Sequence, residues 1–72
     1  MKAEYKRIFN EIRNGVAPEV YTVNGEIDLC LFLQPAFDFQ MFDEKDDEDE
    51  IYEAAAEWCK ENGLKQSTVE KQ

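Results

Sequence analysis

The dipeptide Asn24-Gly25 constrains this chain more than any other feature. It stands between Val20-Tyr21-Thr22-Val23 and Glu26-Ile27-Asp28-Leu29-Cys30-Leu31-Phe32-Leu33. A type I′ turn requires φ > 0 at both central residues, which Asn-Gly supplies at little steric cost, so the pair predicts a two-residue β-hairpin. In that register Thr22 lies opposite Ile27 and Val20 opposite Leu29. After the turn Ile27, Leu29, Leu31 and Leu33 alternate with Asp28, Cys30 and Phe32, the period of a half-buried strand. Gln34-Pro35 breaks the run. Phe37, Phe39 and Met41 then alternate with Asp38, Gln40 and Phe42, which predicts a third antiparallel strand.

Helical patterns flank this stretch. From about Ala3 to Asn14, Tyr5, Ile8, Phe9 and Ile12 recur at i, i+3, i+4 and i+7, with Lys2, Lys6, Arg7 and Arg13 off the stripe. Gly15 suits a left-handed position just after that helix. A second helix is expected from roughly Glu48 to Asn62, with Ile51, Ala54, Ala55 and Trp58 as its stripe and Gly63-Leu64 as its end. Asp47 with Glu50 has the spacing of a capping box. The expected fold is therefore a small α+β domain, α-β-β-β-α, with a three-stranded antiparallel sheet and both helices packed on one face. Residues 1–64 form that single domain, and residues 65–72 form a polar, frayed tail. No internal repeat is present.

Seventy-two residues leave room for one small core. Hydrophobic residues at 43%, including five Phe, three Tyr and one Trp, are too many for a disordered chain. The formal net charge of −9 argues against direct binding to nucleic acid or to an anionic membrane, and favours a partner with a basic surface. Cys30 and Cys59 make no disulfide framework, and no signal-like segment or apolar run of membrane-spanning length is evident, so a cytoplasmic protein with reduced thiols is expected.

Catalytic residue types are scarce. The chain has no histidine, its hydroxyls are Thr22, Ser67, Thr68 and three tyrosines, and neither cysteine has a neighbour that would activate it. No enzyme activity, catalytic residue or cofactor is expected. The acidic run Asp43-Glu44-Lys45-Asp46-Asp47-Glu48-Asp49-Glu50 fits no EF-hand register: starting at Asp43 puts Glu48 at the glycine position, and starting at Asp46 puts Ile51 there. No metal ligands are assigned.

Two functional readings remain. In the first, the carboxylates stand in for phosphates and occupy the basic nucleic-acid-binding site of a protein partner. Its surface would comprise Asp43, Glu44, Asp46, Asp47, Glu48, Asp49 and Glu50, with Tyr21 and Phe32 as apolar anchors, extended by Glu53, Glu57 and Glu61. Phage- and mobile-element-encoded inhibitors of restriction and CRISPR effectors share this size and charge, though no family motif is present. In the second, the outer sheet face, with Tyr21, Val23, Phe32 and Phe42, is a homodimer interface without mimicry. A plainer reading of the acidic run is a solvated loop that caps a helix.

Overall fold

The computed structural model describes residues 1–67. Among these, four helices and one two-stranded ladder occur: α1 (Ala3–Gly15), α2 (Pro18–Tyr21), β1 (Thr22–Val23), β2 (Glu26–Ile27), α3 (Leu29–Asp38) and α4 (Glu48–Glu61). α1 buries Tyr5, Ile8, Phe9 and Ile12, the stripe expected from their spacing. Gly15 stays inside this helix, and the end is made by extended Val16, whose N–H donates to Ile12 O. Pro18, with φ preset for a first helical turn, then opens the single turn α2.

The hairpin forms in the expected register, Thr22 opposite Ile27 and Val23 opposite Glu26. Asn24 (φ 54°) and Gly25 (φ 81°) both take the left-handed conformation that the turn demands. There the expected architecture stops. The three-stranded sheet is not formed, because the second strand ends at Ile27 and the chain turns helical at Leu29. Asp28 causes the change. Its backbone is extended and its carboxylate accepts from Cys30 N (2.9 Å) and Leu31 N (3.3 Å), satisfying two donors that a new helix leaves open.

α3 buries Leu29, Phe32, Leu33 and Ala36, spaced i, i+3, i+4 and i+7, and leaves Leu31 exposed. The run Leu29–Leu33 is apolar at nearly every position, so it satisfies period 2 and period 3.6 alike. The cap selects the helix. Pro35 is tolerated within it, two turns in. The expected third strand is likewise absent. Phe37 and Asp38 belong to α3, and a Schellman-type end follows, with Gln40 at φ 53°, Gln40 N donating to Phe37 O (3.1 Å) and Met41 N to Ala36 O (2.9 Å).

α4 begins and ends close to where its caps placed it. Asp47 accepts from Asp49 N (3.1 Å), a simple N-cap made through Asp49 rather than Glu50. Gly63 (φ 69°) closes the helix with Leu64 N on Cys59 O (2.8 Å) and Gly63 N on Lys60 O (3.2 Å). Of the tail expected to fray, residues 65–67 run parallel to β2: Ile27 N donates to Lys65 O, and Ser67 N to Ile27 O, each at 2.8 Å. Residues 68–72 lie outside the described residues.

α1, α3 and α4 close around an aromatic core. Phe32 stacks on Trp58 (centroids 5.3 Å apart), Tyr21 meets Phe32 edge-on at 4.9 Å, and Phe9 contacts Trp58 at 5.8 Å. α1 and α4 run in the same direction, as successive pairs Lys2–Asp46, Asn10–Trp58 and Arg13–Asn62 show. No helix among the described residues is long and apolar enough to cross a membrane.

Candidate functional site: the acidic loop and the start of α4

The acidic run is divided by this fold into carboxylates that build the loop and carboxylates that face outward. Asp46 builds. Its side chain is only 8% exposed, and its Oδ1 receives Lys2 Nζ at 3.1 Å while Oδ2 accepts from Asp43 N at 3.2 Å. The Lys2 ammonium, by its hydrogen bond, holds the Asp46 carboxyl below the usual carboxylate range, and the same bond raises the Lys2 pKa. Asp43 turns the loop through Oδ1, which accepts from Lys45 N (2.9 Å), while Asp46 N donates to Asp43 O (3.0 Å). Asp47 is the N-cap of α4.

Asp43, Glu44, Asp47, Glu48, Asp49 and Glu50 are exposed. Glu48, Asp49 and Glu50 occupy the first turn of α4, where the helix dipole favours negative charge. The helical period spreads them over three directions. Glu48 lies on the side of Tyr52, which packs on Phe37 of α3; Asp49 points outward; Glu50 lies beside Lys2 and Tyr5 of α1. Farther along, Glu53 and Glu57 border the same α1 recess and Glu61 comes within 4.0 Å of Lys6. The α1 edge of α4 is therefore partly neutralised by α1 cations. Toward α3, no ion pair to Asp43, Glu44, Glu48 or Asp49 occurs among the described residues.

The two apolar anchors expected from the sequence sit elsewhere. Tyr21 is 4% exposed and Phe32 fully buried, so both are core side chains. With no sheet beyond Ile27, the outer face that grouped Tyr21, Val23, Phe32 and Phe42 for a homodimer does not exist. The exposed aromatic is Phe39, at 79% of its surface, next to left-handed Gln40. In the expected third strand it would share a face with Phe37 and Met41. Asp28 as a cap, followed by apolar residues at 29, 32, 33 and 36, is the signal that would have ended α3 near residue 38 and left Phe39 outside.

Between the end of α3 and the start of α4 lies a surface groove of about 480 Å³. Ala36, Phe37, Phe42 and Ile51 form its floor, and Asp43, Glu44 and Glu48 its rim. Tyr52, beside Phe37, donates to Cys30 Sγ (3.6 Å), and burial, then the Cys30 sulfur, push the Tyr52 pKa up to about 12. The second cysteine, Cys59, is buried, which raises its thiol pKa. Among the described residues no three Asp, Glu or Cys side chains converge as metal ligands would. The chain matches no protein-family model, no curated protein and no solved structure.

Proposed function

We propose that the protein is a non-enzymatic binding module whose acidic surface occupies the basic nucleic-acid-binding site of a protein partner and so inhibits it. The observation that carries this reading is that Asp43, Glu44, Glu48 and Asp49 are exposed on a pinned segment. Lys2–Asp46 ties the loop to α1, and the Asp43 and Asp47 caps order its backbone. Carboxylates held this way approach a basic channel with little further ordering cost, and like-charged competitors such as nucleic acid are displaced from it. Inhibitors of restriction and CRISPR effectors carried by phages and mobile elements work on this principle, and the proposed activity is of that type, exerted in the cytoplasm.

The test is capture of a partner from nuclease-treated lysate at about 0.05 M and about 0.3 M salt, where the change in Debye length separates exposed charge pairing from apolar docking. The expected partner is one dominant basic, nucleic-acid-handling protein, lost at high salt and displaced by added DNA. The informative variant is Glu44→Gln/Glu48→Gln/Asp49→Asn, which spares Asp46 and the Asp47 cap. Equal capture by this variant and the wild type overturns the reading.

A further inference from the structure

We infer that the groove between α3 and α4 receives an arginine-bearing segment of the protein partner, with Phe39 as the apolar anchor beside it. This rests on the mimicry reading and names the chemistry that the partner brings. Three features around the end of α3 point the same way. Half-buried Phe37 and Phe42, over buried Ala36 and Ile51, give the groove the apolar part of its lining. Its rim is anionic at Asp43, Glu44 and Glu48, and Asp46 beneath it is already neutralised by Lys2. Phe39 and Gln40 follow the end of α3, Gln40 lines the groove, and Phe39 exposes 79% of its surface with no core role.

An apolar centre with a charged rim is the anatomy of a protein interface, and the sign of the rim selects a cationic occupant. Arginine fits better than lysine. Its planar guanidinium bridges two carboxylate oxygens and stacks on an aromatic face, whereas an ammonium offers a compact point charge. A second copy of this chain is disfavoured, because a two-fold contact would set one anionic rim against another on a chain of net charge −9.

The probe is a capped peptide of alternating Arg and Leu, titrated into the isotope-labelled full chain and followed by amide chemical shifts. Shifts confined to residues 36–51, about tenfold weaker binding by Phe39→Ala, and weaker binding of the Lys-Leu counterpart are expected, since an aromatic anchor carries a large share of such an interface. Phe39→Ala should leave thermal stability unchanged, so its effect reads as contact and not as unfolding. Shifts scattered over Glu19, Glu57 and Glu61, or equal affinity for wild type and Phe39→Ala, would overturn the assignment. So would peptide-free self-association that Phe39→Ala abolishes, which gives the groove to a second copy. If Phe39→Ala is silent while Glu44→Gln/Glu48→Gln/Asp49→Asn loses the lysate partner, the groove falls and the mimicry reading stands. If the carboxylate variant is silent too, both fall.

Discussion

Lys2 Nζ lies 3.1 Å from Asp46 Oδ1, across 44 residues of chain, and joins the start of α1 to the loop before α4. The loop end of that pair is covered and its lysine end is open to water. The Asp46 pKa is lowered in the folded protein from an ordinary value of 3.8. A lowered acid pKa contributes stability that is present above the unfolded value and is lost as pH falls below it. Asp46→Asn should therefore lower the thermal midpoint at neutral pH, and its difference from wild type should shrink as pH drops below 3.8 and vanish only below the lowered folded-state pKa. Circular-dichroism melts across an acid series check this; a constant difference at every pH would assign the effect to packing instead.

Phe32 is fully buried between Tyr21, Phe9 and Trp58. Phe32→Ala should cost about 3–5 kcal/mol, from lost transfer energy plus the cavity left behind. That is comparable with the whole stability of a domain this small, so the variant should be largely unfolded in urea titrations without much denaturant.

Gln40 holds φ 53° at the end of α3, a conformation that costs a residue with a Cβ and costs glycine nothing comparable. Gln40→Gly should stabilise the protein by about 1 kcal/mol, read as a rise in urea midpoint with an unchanged slope. A destabilised variant would mean that the Gln40 side chain makes contacts worth more than the relieved strain.

Tyr52 should titrate late. Its pKa is pushed from 10.0 to about 12, chiefly by burial and then by the Cys30 sulfur. A raised pKa gives stability that is present below the unfolded value and lost as pH climbs from about 10 to about 12. Tyrosinate absorbance should thus show a component near pH 12 that disappears in Tyr52→Phe, and alkaline unfolding of that variant should begin at higher pH. Tyr5 is also raised, first by burial and then by the neighbouring Asp46 carboxylate, so the Tyr52→Phe difference spectrum isolates the component.

Three parts of the fold were legible because their signals are local. The Tyr5–Ile12 stripe, the positive φ demanded by Asn24-Gly25 and the Gly63-Leu64 helix end each depend on residues within one or two turns of one another. Residues 28–41 are not legible as a helix from pattern alone, because their apolar density supports two periods and only the capping geometry of Asp28 decides between them. As a strand this stretch would put Phe32 on an outer face; as a helix it buries Phe32 and leaves Phe39 exposed. The exposed carboxylates of the candidate site were legible as a run, but the inward turn of Asp46 was not.

Two amphipathic helices, one tight turn and an acidic segment before α4 are already written in the residues, since propensity, caps and charge act over short distances. That Asp46 belongs to the loop's foundation and Phe39 to the surface follows from the packed fold alone. The physical reason is that both depend on distant partners: Asp46 is neutralised by an ammonium 44 residues away, and Phe39 is left outside because Phe32, Leu33 and Ala36 already fill the face of α3 that meets α1 and α4.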